Sequence, residues 1–204
     1  MDRLSDEHLL TAVLAGEMDA LAALVERHQG PLTGYLDRLV GPDWALAQDL
    51  VQETFLRVLR QHTARGRRPF KPWLYAIATN LARDHFKSAA VQHARRIEQC
   101  DQTRFVDVAA GPEEQALAAE REASITAALA TLIPEYRVTL VLRFYSEMSL
   151  QEIAETLEVP LGTVKSRLSV GLRRLREALM HGQAAAEAAE EGAGRPWTSI
   201  RRGR

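Results

Sequence analysis

The sequence predicts an all-α protein of two small helical domains joined by a linker, with a helix-turn-helix in the C-terminal domain. Apolar residues recur every three or four positions along most of the 204 residues, which is the spacing of a buried helix face. No convincing run alternates polar and apolar residues, so no strand is expected. Basic residues fall into two blocks separated by an acidic stretch, which indicates two modules.

A first domain is expected over residues 17–90 and should contain three helices. The first runs from Glu17 to Val40 and is softly interrupted at Gly30-Pro31. The second, from Trp44 to about Gln61, has Asp43 as its N-cap. The third runs from Trp73 to about Ser88, after a Gly- and Pro-containing loop. The apolar positions of the second and third helices are Leu46, Leu50, Val51, Phe55, Val58, Leu59, Trp73, Leu74, Ile77, Ala78 and Leu81.

A linker, a second domain and a tail complete the predicted organisation. Periodicity is lost over residues 91–112, the expected linker, which is punctuated by a Gly-Pro pair. The second domain covers residues 113–181, with Pro134 starting one of its helices. Residues 182–204 become Ala/Glu-rich and then basic, with few apolar residues to bury, so a disordered tail is expected.

The second domain ends in a segment typical of a helix-turn-helix, Ser149 to Met180. Ser149 and Glu152 have the spacing of a capping box. The short helix that follows is broken by Glu158-Val159-Pro160, because proline lacks an amide hydrogen and restricts the residue before it. A longer helix then carries apolar residues at Val164, Leu168, Leu172, Leu175 and Leu179.

The longer helix is basic on its outer side. Between Pro160 and Arg176 there are five basic residues and no acid, whereas Glu147 to Glu158 holds four acids and no base. A basic helix that follows an acidic one is suited to approach phosphate. The candidate DNA contacts are Thr163, Lys165, Ser166, Arg167, Ser169, Arg173 and Arg174. Taken alone, the pattern also fits an ordinary helical hairpin with a solvated basic face.

Composition excludes several other classes of protein. No apolar run approaches the roughly 20 residues that span a bilayer, and the N-terminus lacks an apolar secretory core, so a cytoplasmic protein is expected. Cys100 is the only cysteine, which excludes an internal disulfide and a thiolate metal cluster. The net charge of −1 conceals eight bases against one acid between Arg57 and Lys87.

Three motifs together resemble the sigma-70 family of RNA polymerase sigma factors. Residues 49–58, DLVQETFLRV, resemble its polymerase-binding helix, and residues 70–84, FKPWLYAIATNLARD, its −10-reading and melting helix. Residues 132–137, LIPEYR, followed by Ser149 to Arg176, resemble its −35-reading domain. With no large domain before these motifs, the layout is similar to that of the extracytoplasmic-function subfamily.

The resemblance implies roles for specific residues. Asp49, Gln52 and Glu53 would form an acidic, polar face that docks on a basic coiled coil of the polymerase β′ clamp, with the β subunit as a further partner. Asn80, Arg83, Asp84 and Lys87 have helical i, i+3, i+4, i+7 spacing and would form the stripe that contacts the −10 element. For either face the alternative is a solvated helix surface. Promoter DNA and an anti-sigma factor are further expected partners, and no cofactor is expected.

Two features are less clearly interpreted from the sequence. The loop Gln61 to Lys71 resembles the family's pocket for a flipped base, and the aromatic residues Phe70, Trp73 and Tyr75 suggest either stacking or burial, with burial the better interpretation of Trp73. Ser169-Val170-Gly171 departs from the family, which often has a basic or aromatic residue here. A glycine costs a helix about 1 kcal/mol relative to alanine, so Gly171 predicts a close approach either to DNA or to a neighbouring helix.

Three other functions are alternatives to the one that the resemblance implies. An enzyme is disfavoured, because the six histidines show no metalloprotease-like spacing and no phosphate loop or nucleophile elbow is present. No catalytic or metal-binding residue is therefore expected. A helix-turn-helix repressor would explain the second domain but would leave the motifs between Asp49 and Asp84 without a role. An interaction protein held by a regulatory partner is compatible with the sigma-factor interpretation.

Overall fold

The computed structural model describes residues 4–41, 43–61, 66, 68–93 and 112–193, and within these ranges the chain is helical, with no strand. This confirms the predicted all-α class. No helix in the described ranges is long and apolar enough to cross a membrane. The helices are α1 (Asp6–Leu14), α2 (Met18–Val40), α3 (Trp44–Gln61), α4 (Phe70–His93), α5 (Pro112–Ala130), α6 (Pro134–Phe144), α7 (Leu150–Leu157) and α8 (Leu161–Ala193).

Helix α1 precedes the first helix expected from the sequence. Its N-cap is Ser5, whose hydroxyl accepts a hydrogen bond from the amide of His8 at 3.3 Å. Leu9, Leu10 and Val13 are buried, and the helix packs against α2. The Ser-Asp-Glu start and the i, i+4 pair of buried apolar residues were readable signals for this helix.

Helix α2 continues through Pro31, where the sequence predicts an interruption. Proline removes one backbone hydrogen bond and costs about 3 kcal/mol inside a helix. Here the ring is on the exposed side, while Leu24, Leu32 and Leu36 on the other side are almost fully buried. Burial of several large apolar side chains outweighs the loss of one hydrogen bond, because each buried side chain contributes about 1.5–3 kcal/mol.

Helices α3 and α4 complete the N-terminal module. The carboxylate of Asp43 accepts a hydrogen bond from the amide of Leu46 at 2.9 Å, which confirms the predicted cap. Helix α4 begins at Phe70, three residues earlier than expected, because Pro72 is tolerated in a first helical turn. The Phe70 amide donates to a carboxylate oxygen of Glu7 at 3.1 Å. Glu7 in α1 therefore helps to place the start of α4.

Helices α5 to α8 form the C-terminal module, whose core includes Leu132, Leu142, Met148, Ile153 and Val164. The predicted capping box is present: Ser149 Oγ accepts from the Glu152 amide at 3.2 Å, and the Glu152 carboxylate accepts from the Ser149 amide at 2.8 Å. Burial raises the pKa of Glu152, but these hydrogen bonds outweigh it, so the pKa lies below its usual value.

The helix-turn-helix turn is made by Glu158 rather than by Pro160 alone. Glu158 is in the left-handed region with φ 54° and ends α7, its amide donating to the Ala154 carbonyl. The carbonyl of Pro160 then accepts from the amides of Thr163 and Val164 at 2.9 and 3.2 Å, which starts α8. Pro160 therefore helps to start α8 as well as to end α7.

The predicted linker and tail are only partly within the described residues. Helix α4 extends to His93 and α5 starts at Pro112, so residues 94–111 of the expected linker lie outside the description. Helix α8 runs through Ala193, where the sequence suggests disorder from 182 onward. Alanine and glutamate are strong helix formers, and they dominate this stretch. Residues 194–204 lie outside the described part.

Candidate functional site

The acidic face of α3 is on the surface of the N-terminal module. Asp49 and Gln52 are exposed and Glu53 is partly exposed, whereas Leu50, Val51, Phe55 and Val58 on the opposite face are buried. The Glu53 carboxylate lies 3.1 Å from Nε of Arg57, one turn away. A surface ion pair of this kind contributes little stability, so Glu53 remains free to exchange it for another cation.

Leu56 is an apolar residue within that acidic face, and the sequence pattern did not predict its role there. Its side chain is 44% exposed. Seven residues after Asp49 and four after Gln52, it projects from the same side of the helix. An exposed leucine among polar side chains suits a docking surface, because the centre of an interface is more apolar than its rim. Its position two turns from Asp49 was the available signal.

The polar stripe on α4 has the exposure expected for a DNA contact. Asn80, Arg83, Asp84 and Lys87 are all exposed, and Nη1 of Arg83 donates to Oδ1 of Asn80 at 3.2 Å. The other side of this helix buries Leu74, Ile77, Ala78 and Leu81. The stripe thus combines two cations with an amide whose donor and acceptor groups match base edges.

The three aromatic residues at the start of α4 are buried. Phe70, Trp73 and Tyr75 are 0%, 5% and 1% exposed, and the Tyr75 ring lies edge-on to Tyr35 with 4.9 Å between ring centroids. Burial raises the pKa of Tyr75. These rings belong to the core, so the stacking interpretation is not supported for any of them. In the neighbouring loop, residues 62–65 and 67 lie outside the described residues.

Helix α8, the second helix of the helix-turn-helix, presents its polar residues outward. Lys165, Ser166, Ser169, Arg173 and Arg174 are exposed, and Thr163 and Arg167 are partly exposed. The buried stripe differs from the predicted one: Val164 is fully buried, whereas Leu172 is 43% exposed and the adjacent Gly171 is buried instead. Gly171 and Leu172 are both compatible with the 3.6-residue period that runs from Leu168 to Leu175, so the period alone does not select which of the two is buried.

Gly171 marks a close approach between helices. A Cβ atom at this position would lie 3.3 Å from Leu140 Cδ1 and from Tyr136 Cβ, both in α6. Such contacts are tighter than ordinary van der Waals separations, which begin near 3.5 Å. Of the two explanations left open by the sequence, the neighbouring helix accounts for the glycine.

Arg137 is a partly buried cation of the C-terminal module. Nη1 donates to the Leu39 carbonyl at 2.9 Å and Nη2 to the Leu132 carbonyl at 3.2 Å, while Nε is buried without a hydrogen-bond partner. Burial lowers the pKa of this guanidinium. Its role is structural, since it joins α6 to the end of α2. Among the described residues, no three His, Cys, Asp or Glu side chains are grouped to hold a metal ion.

Comparisons with known families match both modules. The sigma-70 region 2 model matches residues 24–91, which include the exposed faces of α3 and α4. The sigma-70 region 4 model matches residues 128–177, which include the helix-turn-helix. The fold and these faces therefore define a two-module protein of the sigma-70 class.

Curated relatives narrow the class further. The extracytoplasmic-function (ECF) sigma factor SigW of Bacillus subtilis is 31% identical over 174 residues, covering 82% of this chain and 92% of SigW. SigL of Mycobacterium tuberculosis strain H37Rv is 34% identical over 169 residues, covering 82% of this chain and 93% of SigL. This chain belongs to the ECF subfamily of RNA polymerase sigma factors, which are transcription initiation factors and not enzymes.

Solved structures agree with this assignment. CnrH, solved in complex with the cytosolic domain of CnrY, has a TM-score of 0.64 and 25% identity, covering 86% of this chain and 97% of CnrH. The sigma factor RpoE of Bartonella quintana, solved with the anti-sigma factor NepR, has a TM-score of 0.58 and 20% identity, covering 78% of this chain and 96% of that one. The second likeness concerns the fold alone.

Proposed function

We propose that this protein binds core RNA polymerase through α3, reads the −35 duplex with α8, and opens and reads the −10 element with α4. One observation carries the proposal: three outward faces of different chemistry occur in that family's order on three separate helices. The face on α3 is acidic and polar, the stripe on α4 is cationic with an amide, and the outer side of α8 is basic.

The polymerase contact is assigned to Asp49, Gln52 and Glu53, with Leu56 among them. An acidic face would be attracted to the basic coiled coil of the β′ clamp, and such charge complementarity speeds association and sets orientation. The apolar contact adds affinity that charge alone does not supply, since desolvated apolar residues carry much of the binding energy in interfaces. The C-terminal module would then engage the β subunit.

The −10 contact is assigned to the stripe of Asn80, Arg83, Asp84 and Lys87. Phosphate contacts from Arg83 and Lys87 would position the DNA, while the Asn80 amide has donors and an acceptor for an exposed base edge. Asp84 is beside Arg83 on the same face and would orient that guanidinium or accept from a cytosine amino group. Strand opening needs such base contacts, because they compensate for lost pairing.

The −35 contact is assigned to the first turns of α8. Residues at the N-terminus of a recognition helix reach base edges in the major groove. Lys165, Ser166 and Ser169 are exposed there, and Thr163 and Arg167 flank them. Arg173 and Arg174 lie two turns later and would contact phosphate, which adds affinity and salt dependence without sequence preference.

An anti-sigma factor would regulate this protein in the cytoplasm, where core polymerase acts. The support is that RpoE of Bartonella quintana, a protein of similar fold, was solved bound to one. The cations of α4 and α8 would give such a partner a basic surface to cover.

Co-purification without DNA tests the proposal directly. Tagged protein is mixed with purified core polymerase in nuclease-treated buffer and separated by size exclusion. A stoichiometric complex is expected. A protein that ignores core and binds duplex DNA alone would instead be a helix-turn-helix repressor or activator, and the proposal would be rejected.

A further inference from the structure

We propose that a cavity between α4 and the C-terminal module binds a small amphiphile with an apolar chain and an anionic head group, such as a long-chain fatty acid. The cavity has a volume of about 640 Å³, which is within the range of about 300–1,000 Å³ that is usual for small-molecule sites. Its lining residues come from α2 and α4 on one side and from α6, α7 and α8 on the other.

Apolar side chains from several helices form much of the cavity lining. Leu39, Phe86, Val138 and Leu157 are among them. Phe86, Val138 and Leu157 are only partly buried by the protein itself, so an apolar ligand would remove more of their surface from water. That transfer favours binding roughly in proportion to the apolar area covered. The lining therefore predicts a ligand whose body is apolar.

Few side chains of the lining can recognise a polar ligand body. The Thr79 hydroxyl is already engaged, because its Oγ1 lies 2.6 Å from the Tyr35 hydroxyl and donates to the Tyr75 carbonyl at 2.6 Å. Of the other described lining residues, Glu135 is the one that is neither apolar nor cationic. A nucleotide base or a sugar needs several placed donors and acceptors. A hydrocarbon chain therefore suits this cavity better than a nucleotide does.

The charge of the lining selects an anion. Among the described residues that line the cavity, four are cations, Arg83, Lys87, Arg137 and Arg167, and one is an acid, Glu135. None of the four cations forms an ion pair with another described residue. Like charges around one cavity raise each other's energy, and an anion placed among them would lower it. The lining therefore predicts a negatively charged head group.

Arg137 gives a separate reason for an anionic ligand. Its guanidinium donates to backbone carbonyls, including those of Leu39 and Leu132, and its Nε is buried without a hydrogen-bond partner among the described residues. Carbonyls satisfy donors but do not neutralise the charge. A partly buried charge is costly unless an opposite charge compensates for it. A carboxylate or phosphate head group in the cavity would supply that charge.

The ligand would compete with DNA. Arg83 and Lys87 belong to the α4 stripe assigned to the −10 element, and Arg167 flanks the residues assigned to the −35 duplex. A head group that neutralises these cations removes charge that would otherwise contact phosphate. This consequence rests on the function proposed above, whereas binding of the ligand does not.

Isothermal titration calorimetry of the full chain with laurate, below the concentration at which micelles form, tests the site. Laurate should bind at one site, and decanoate should bind at least about threefold more weakly, because its shorter chain buries fewer methylene groups. Dodecyl phosphate should bind as well. Dodecyltrimethylammonium and dodecyl maltoside have the same chain without the anionic head group and should not bind. No binding of laurate, equal binding of the cationic or neutral amphiphile, or binding of GTP in place of laurate would overturn the proposal.

A cavity-filling variant locates the binding. Val138→Trp places a large side chain in the cavity from α6. Phe144→Trp is the matched control, because Phe144 is in the same helix, is 61% exposed and does not line the cavity. Val138→Trp should weaken laurate binding at least about tenfold and Phe144→Trp less than about twofold, with circular dichroism confirming that both variants are folded. Equal laurate affinity in the two variants would place the binding elsewhere and overturn the proposal.

A second variant tests the charge through a gain of affinity, which an unfolded protein cannot produce. Glu135→Gln removes the acid of the lining and should tighten laurate binding about threefold. Glu177→Gln is the control, because Glu177 is an exposed acid of α8 that does not line the cavity. Equal laurate affinity in these two variants would contradict a head group held among the cations.

Fluorescence anisotropy of labelled duplex DNA measures the competition. Laurate should weaken binding of DNA by the wild-type chain and should have little effect on Val138→Trp, which no longer holds the ligand. Laurate that binds by calorimetry but leaves the DNA affinity unchanged would refute the competition. Failure of the wild-type chain to bind core polymerase would refute the proposed function, while the calorimetry would still decide whether the cavity binds an amphipathic anion.

Discussion

The carboxylate of Asp6 in α1 lies 2.8 Å from Nε2 of His28 in α2, and this contact ties the N-terminal helix to the rest of the N-terminal module. The same carboxylate pairs with Arg27. The His28 ring also packs against Phe70, with 5.3 Å between ring centroids. His28 thus connects α1, α2 and the start of α4.

Stability should fall in mildly acidic solution because of His28. Burial lowers its pKa below 6.5, and the nearby Asp6 only partly opposes this. The unfolded chain therefore binds a proton at higher pH than the folded one. The free energy of unfolding should be at its full value above pH 6.5 and should decrease as the pH falls from there toward the folded pKa.

Urea titrations at pH 7.5 and 5.5 measure this decrease. His28→Gln removes the titrating group, so its loss of stability between the two pH values should be smaller than that of wild type. His85→Gln is the control, since His85 is exposed. An equal loss in wild type and His28→Gln would show that other groups govern the acid response.

Gly171 should tolerate no large side chain. Its Cβ position is 3.3 Å from three side-chain atoms of α6, so Gly171→Leu should lower the free energy of unfolding by about 1–3 kcal/mol through overpacking. Gly162→Leu in the same helix has open space and should not lower the free energy of unfolding, because leucine is a better helix former than glycine. If Gly171→Leu instead has the same free energy of unfolding as wild type and loses only DNA binding, the glycine is needed for a close approach to DNA.

The α4 stripe should be needed for strand opening more than for polymerase binding. Replacing Asn80, Arg83 and Lys87 with alanine removes one amide and two cations while leaving the buried face intact. Permanganate reactivity of the −10 region should fall by at least about tenfold, because each lost base contact costs about 1–3 kcal/mol. Core affinity should change less than twofold, since α3 is not altered. Unchanged permanganate reactivity would falsify the −10 assignment.

Two positions in α8 should separate base recognition from phosphate contact. Lys165→Ala should relax the preferred −35 sequence at one position, at a cost of about 1–3 kcal/mol for the wild-type site. Arg174→Ala should weaken all promoters alike and reduce the salt slope by about one unit. Selection from randomised −35 sequences measures which sequence each variant prefers. If Lys165→Ala selects the wild-type sequence, the helix is placed differently in the groove.

Local signals predicted much of the fold. The Ser149 capping box, the Asp43 cap and the buried residues of α4 follow from spacing within a few residues, and the structure reproduces each of them. Pro31 and Leu172 were misjudged because tertiary packing decides both. Helix α2 continues through Pro31 because buried residues anchor the helix on both sides of the proline. Leu172 stays exposed because the adjacent Gly171 is the residue that packs closely against α6.

Long-range relationships were not predictable from the sequence. Tyr145 meets Gly34 more than a hundred residues away along the chain, and no periodicity encodes such a pairing. The candidate site was easier, because exposed faces follow directly from helical spacing: every residue assigned to α3, α4 and the early part of α8 is at least partly exposed. Leu56 was missed because the predicted face was defined by its charged and polar residues, and a single exposed leucine is common on protein surfaces.

Transcription in vitro with purified core polymerase on a fragmented genomic library tests the central claim most directly. Wild-type protein should direct initiation at a limited set of sites that share sequences near −10 and −35. Asp49→Arg with Glu53→Arg should abolish these transcripts, because it reverses the charge of the face assigned to polymerase, whereas Glu26→Arg, an exposed acid on α2, should not. Core-independent DNA binding without new transcription starts, or equal output from the Asp49/Glu53 variant, would contradict the account.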